Sequence, residues 1–209
     1  MLKKTLLTLA AVAAVLIVGF FIVVVMQPNE FHIERSATMA APPEAVFVQV
    51  NDFHNWEAWS PWLEVDPAAK STFEGPSAGD GAIFRWAGNA EVGEGSMTIV
   101  ESKPHELVRI NLHFVKPFED TALTEFTLKP DGDKTAVTWS MDGKNNFMSK
   151  AICLFMDMDE MIGGKYEQGL AKMKTIVENP PAQAPSESTT AQPADKPAEQ
   201  DASVPGTVH

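Results

Sequence analysis

The sequence predicts an α+β domain in which a curved antiparallel sheet wraps around a long C-terminal helix, the whole preceded by one transmembrane helix. Three observations predict it. Residues 6–26 contain no charged side chain, residues 71–141 alternate apolar and polar positions between recurrent turn motifs, and residues 147–177 carry apolar side chains at helical spacing. They imply a membrane helix, an antiparallel meander and a helix that covers the meander, in that order.

The 21 residues from 6 to 26 would form a helix about 32 Å long at 1.5 Å per residue, enough to cross the hydrocarbon core of a bilayer. Lys3 and Lys4 precede this run, whereas Gln27-Pro28-Asn29-Glu30 follows it and no cation appears before Arg35. The positive-inside rule then keeps the N-terminus cytoplasmic and puts the domain outside, in the periplasm if the cell is bacterial. A cleavable signal peptide competes with this reading. The apolar run, however, exceeds the usual core of about 7–15 residues, and no A-x-A-like site precedes Gln27-Pro28. Residues 1–29 are therefore read as an uncleaved anchor and 30–178 as the folded domain. Residues 179–209, rich in Pro, Ala, Ser, Thr and Gln, read as a disordered tail.

Within the domain, Phe31-His32-Ile33-Glu34-Arg35-Ser36-Ala37-Thr38-Met39 partly alternates as a half-buried strand, and Pro42-Pro43 ends it. A helix follows: proline suits its first turn, Glu44 complements its dipole, and Val46, Phe47 and Val50 form one apolar face. Trp56, Trp59 and Trp62 then recur every three residues, placing the indoles on one side of a short helix before Pro61 interrupts it. They either plug the end of the core or wall a ligand cavity.

From 71 to 141 the turns fall at Gly79-Asp80-Gly81, Val92-Gly93-Glu94-Gly95, Lys103-Pro104-His105 and Lys129-Pro130-Asp131-Gly132-Asp133. Between them Phe84 with Trp86, Met97 with Ile99, Ile110 with Leu112 and Phe114, and Phe126, Leu128, Val137 and Trp139 make one sheet face apolar. The last element, 147–177, reads as one long helix with Leu154, Met158, Met161, Ile162, Leu170, Met173 and Val177 toward the sheet. Gly163-Gly164 within it signals a kink, a break or close approach to a strand.

Composition narrows the function. A formal charge of −12, with 28 acids against 16 bases, argues against a nucleic-acid partner, which requires clustered cations. The single cysteine, Cys153 in Ile152-Cys153-Leu154-Phe155, allows neither an intrachain disulfide nor a cysteine-based metal site and reads as a small hydrophobe. No catalytic constellation, metal site or cofactor motif emerges. His54 with Glu57 makes only half a metal site. Gly79-Asp80-Gly81 and Gly93-Glu94-Gly95 carry acids where phosphate would sit, and Ser60, Ser96 and Ser140 lack a nucleophile elbow. Asp157, Asp159 and Glu160 read as a solvated helix face, with Asp159 nearest the apolar stripe. Arg85 points away from Phe84 and Trp86, toward solvent or toward an internal ligand head group.

One strand, a helix, six further strands and a long C-terminal helix is the order of a helix-grip fold. At this level Pro42-Pro43-Glu44-Ala45-Val46-Phe47, the stretch from Asn51 to Trp62, Gly93-Glu94-Gly95-Ser96-Met97 and Gly169-Leu170-Ala171-Lys172-Met173-Lys174 resemble bacterial members of the SRPBCC superfamily. That is the polyketide cyclase/dehydrase and lipid-transport group related to START domains. The resemblance implies a hydrophobic-ligand pocket between sheet and C-terminal helix, lined here by Trp56, Trp59, Trp62, Phe84, Trp86, Phe114, Trp139, Phe155, Met158 and Ile162. It implies no single activity. A membrane-tethered binding or transfer module for a lipid or isoprenoid, a cyclase- or hydrolase-like enzyme using the same cavity, and an interaction module with a filled core all remain open.

Overall fold

The computed structural model describes residues 2–180. Helix α1 (Leu2–Met26) is followed by strand β1 (Glu30–Met39), helix α2 (Pro43–Asn51), a 3-10 helix (Phe53–Ala58) and the short helix α3 (Trp62–Val65). Strands β2 (Lys70–Glu74), β3 (Ile83–Ala87), β4 (Glu94–Lys103), β5 (Leu107–Lys116), β6 (Asp120–Asp131) and β7 (Lys134–Lys144) come next, then helices α4 (Phe147–Cys153) and α5 (Met158–Glu178). Most of the predicted tail lies outside the described residues.

Period-two alternation and short turns make β2 to β7 a continuous meander, while β1 pairs with β7, giving the order β1-β7-β6-β5-β4-β3-β2 with every pair antiparallel. The helices between β1 and β2 thus carry the chain from one edge of the sheet to the other. Directly opposed residues share a face, so Ile33, Met141, Thr124, Ile110 and Ile99 form one inward row, and Phe31, Gly143, Ala122, Leu112, Met97, Phe84 and Phe73 form another. Helix α5 lies against β1, and α2 against the middle strands. Val46, Phe47 and Val50 enter the core as the helical spacing requires.

The single long C-terminal helix expected from 147 to 177 is in fact two. Asn146 caps α4 by accepting from the Ser149 amide (2.9 Å), and Asp157 caps α5 by accepting from the Glu160 amide (3.1 Å), leaving 154–157 between them. Gly163-Gly164 stays helical. Its meaning is close approach: a Cβ on Gly163 would stand 2.1 Å from the Arg35 guanidinium, which lies across the helix at that point.

Only Gln27, Pro28 and Asn29 separate α1 from β1, and they are pinned. The Asn145 amide donates to the Asn29 carbonyl (2.8 Å) and Asn145 Nδ2 to the Pro28 carbonyl (3.2 Å). The buried Lys150 amine of α4 donates to Asn29 Oδ1 (2.6 Å) and approaches the Val25 carbonyl (3.5 Å), a cation placed at the negative end of the α1 dipole.

Candidate functional site

The interval of three among the tryptophans is the period of a 3-10 helix, in which residues i and i+3 eclipse. Phe53 and Trp56 therefore point the same way, and Trp59 follows at the C-cap. All three are buried, and Trp59 has no exposed surface at all. Trp59 packs 4.6 Å from Trp56 and 5.6 Å from Trp139 between ring centroids, Trp139 lies 4.8 Å from Phe126, and the Tyr166 ring stacks on Trp139 at 3.8 Å. Gly169 of α5 leaves room for this stack, since a Cβ there would come within 2.9 Å of the Trp139 ring.

The indole N–H groups of this cluster are satisfied. Trp56 donates to the Val50 carbonyl and Trp59 to the Gln49 carbonyl (both 3.2 Å); Trp139 donates to Thr124 Oγ1 (3.1 Å), whose hydroxyl donates to the Ser140 carbonyl (2.7 Å). Trp56, Trp59 and Trp139 thus fill the core between the sheet, α5 and the 3-10 helix.

Burial pushes the Tyr166 phenol up to about 12, against the smaller opposing effect of the hydrogen bond with Thr124. A raised phenol contributes stability that is complete below its ordinary value near 10 and lost as pH rises through 12. The wild type should therefore lose about 2 kcal/mol across that window relative to Tyr166→Phe. Alkaline unfolding followed by circular dichroism checks this, and equal midpoints for the two proteins would exclude the phenol as the cause.

Beyond the filled core the inward face remains partly open. Phe84, Trp86, Met97, Leu112 and Phe114 are only half-buried, as is Ile162 near the start of α5. Phe84 and Trp86 stack at 6.2 Å, and Trp86 meets Phe114 edge to face at 6.1 Å. Phe84 also contacts Phe73 and the buried Phe53, which joins this shelf to the core. The Trp86 ring lies over Gly95, its cross-strand partner: a Cβ there would meet the ring at 2.5 Å and the His113 carbonyl oxygen at 2.5 Å. Trp86 Nε1 donates to the Val92 carbonyl (3.1 Å), fixing the ring.

The remaining residues expected to line a pocket lie elsewhere. Trp62 is 39% exposed at the start of α3. Phe155 is 79% exposed and stacks on Phe20 of α1, away from the tryptophans. Met158 borders an open depression of about 500 Å³ formed with Cys153, Leu154, Phe155, Met156 and Asp157. Sequence reasoning missed Met97, Leu112 and Gly95 as parts of the shelf, although the period of β4 and β5 places all three on its face.

Arg85 is on the outer face, paired with Glu74 at 2.9 Å. The inward-facing arginine is Arg35, which donates to both carboxylate oxygens of Asp159 (2.9 and 3.1 Å), to the Asp159 carbonyl (3.1 Å) and to Glu167 (2.8 Å). This clamp ties α5 to β1. It holds the Asp159 carboxyl below its ordinary range, and Asp159 is itself exposed, in keeping with a solvated helix face. His54 bonds Asp52 (2.7 Å) instead of pairing with Glu57, and stacks on Phe73. Among the described residues no three His, Cys, Asp or Glu side chains are grouped to hold a metal.

A seven-stranded antiparallel sheet curved over a C-terminal helix, with an apolar inner face, defines the helix-grip class of the SRPBCC superfamily. The match extends to one family. The chain belongs to the polyketide cyclase/dehydrase and lipid transport family, whose model covers residues 30–178, and family membership makes this a hydrophobic-ligand-binding type of domain. Solved structures share the fold at low identity. A protein from Chromobacterium violaceum is 18% identical with a TM-score of 0.52, over 73% of this chain and 99% of that one. The Aha1 dimer from Colwellia psychrerythraea is 13% identical with a TM-score of 0.51, over 71% and 96%. The di-domain aromatase/cyclase StfQ of the steffimycin biosynthetic pathway is 9% identical with a TM-score of 0.52, over 72% of this chain and 51% of that one. No curated protein sequence matches the chain.

Proposed function

We propose that the protein is a membrane-tethered binding or transfer module for a hydrophobic small molecule of the lipid or isoprenoid class. The observation that carries this reading is the half-buried aromatic shelf of Phe84, Trp86 and Phe114 on the inner sheet face. Aromatic surface of this extent on an inward sheet face, left uncovered by α5, suits an apolar ligand. Covering about 300 Å² of ligand surface there would supply about 7 kcal/mol at 25 cal/mol per Å², before ordering costs. Helix α1, long and apolar enough to cross a bilayer, would keep the shelf beside a lipid source, with the N-terminus cytoplasmic and the domain outside.

The division of the aromatics follows from burial. Phe84, Trp86 and Phe114 contact ligand in this reading, whereas Trp56, Trp59 and Trp139 form the floor. The filled floor is also the observation that favours a second reading, an interaction module that needs no ligand. An enzyme reading lacks comparable support, because Asp159 is exposed and ion-paired.

Native mass spectrometry of the full-length protein, extracted gently from its own membrane, decides between the first two. A stoichiometric lipid or isoprenoid is expected, and Trp86→Ala and Phe114→Ala should each weaken its binding about 10- to 100-fold, each truncation losing about 1.5–3 kcal/mol of burial. A protein that is empty on extraction and takes up nothing from a total lipid extract would replace this reading with the interaction module.

A further inference from the structure

We propose that residues 147–156 form a membrane-embedded foot, seated among the acyl chains of the leaflet on the domain side. The inference rests on α1 spanning the bilayer. Phe147 stacks on Phe21 (5.3 Å, 24° between planes) and Phe155 on Phe20 (6.5 Å, 27°). These contacts fix the height of the foot relative to the helix.

Phe20 lies six residues before Met26, which is about 9 Å along the helix axis. Could the bilayer surface lie below Phe20? Only residues 6–19 would then be inside, giving about 21 Å against a hydrocarbon core of about 30 Å. Spanning the core requires nearly all of residues 6–26, which puts Phe20 and Phe21 inside it. Whatever stacks on those rings is inside as well.

The composition of the foot fits that depth. Among Phe147-Met148-Ser149-Lys150-Ala151-Ile152-Cys153-Leu154-Phe155-Met156 the only charge is Lys150, and its amine is turned inward onto Asn29 and the end of α1. The outward surface consists of Phe147 (44% exposed), Met148 (48%), Phe155 (79%) and Met156 (48%). Polar residues bound it on both sides, Lys144-Asn145-Asn146 before and Asp157, Asp159 and Glu160 after. Apolar surface continuous with a membrane helix and ending at polar flanks matches the acyl-chain boundary of a bilayer. The foot also brings the open depression lined by residues 153–158 to the lipid surface, where α5 begins.

Full-length protein in phosphatidylethanolamine/phosphatidylglycerol nanodiscs tests this. Cys153→Ala removes the sole cysteine, and an environment-sensitive fluorophore is then attached after Phe155→Cys, Phe147→Cys, Val15→Cys or Asp131→Cys, one at a time. At 155 and 147 the probe should emit to the blue of the 131 probe, be quenched by nitroxide-bearing lipids, and be shielded from iodide several-fold. If those two probes behave like the one at 131 while the probe at 15 is lipid-quenched, the foot is overturned and the span stands. If the probe at 15 is also aqueous, the span fails and the foot fails with it.

Discussion

Replacing Trp139 with alanine is expected to lower the unfolding free energy by about 3–5 kcal/mol, because a nearly inaccessible indole is removed from a site its neighbours cannot refill. Tyr166 loses a parallel stack at 3.8 Å, Phe126 loses its partner at 4.8 Å, and Thr124 Oγ1 loses the donor at 3.1 Å. For a chain of this size that loss is a fall of roughly 10–15 °C in Tm. Differential scanning calorimetry on the detergent-solubilised protein measures it directly. Trp139→Phe should recover more than half of the loss by restoring ring packing. A fall of less than about 1 kcal/mol in Trp139→Ala would mean that the cluster is loosely packed and that Trp139 belongs with the ligand-facing residues.

Gly95→Val is expected to cost about 3 kcal/mol or more through the opposite fault, too much volume. The first carbon of any side chain at 95 would sit 2.5 Å from the His113 carbonyl oxygen and 2.5 Å from the Trp86 ring. The carbonyl belongs to the β4–β5 ladder and cannot yield, and the ring is held through Nε1 to the Val92 carbonyl. Strand pairing and the shelf should therefore be damaged together, with lower Tm and lower ligand occupancy in the same variant. Gly164→Ala is the contrasting substitution. Nothing lies within 4 Å of a Cβ there, and an exposed helical site should gain about 0.5–1 kcal/mol. A Gly95→Val protein as stable as wild type would show that Trp86 does not lie across this glycine.

Much of the fold was legible because its patterns are local. Alternation placed Phe84, Trp86, Ile99, Ile110, Phe126 and Trp139 on one face, and the turn residues marked most strand ends; the turn at 117–119 carried no glycine signal and went unread. Local pattern also holds two further signals. Arg35 occupies an inward position of β1 between Ile33 and Ala37, which marks a buried-side cation in need of acids, and Asp157-Met158-Asp159-Glu160 is a capping box that starts a helix. The candidate site was less legible for a tertiary reason. Which aromatics fill and which remain available depends on how much of the sheet one helix covers, and α5 covers the β1 side while leaving Trp86 and Phe114 half open. Nothing in the spacing of tryptophans distinguishes those outcomes.

The three pinned residues between α1 and β1 also set a mechanical limit. Fully extended they reach about 10 Å, and their bonds to Asn145 and Lys150 take up even that slack. On the proposed reading, in which α1 spans a bilayer and the domain carries a ligand, so short a leash would bar shuttling across an aqueous gap between two membranes. Travel would then be lateral, within the plane of one bilayer, any acceptor would have to come to the same surface, and the frequency of transfer would scale with the two-dimensional density of donor and acceptor.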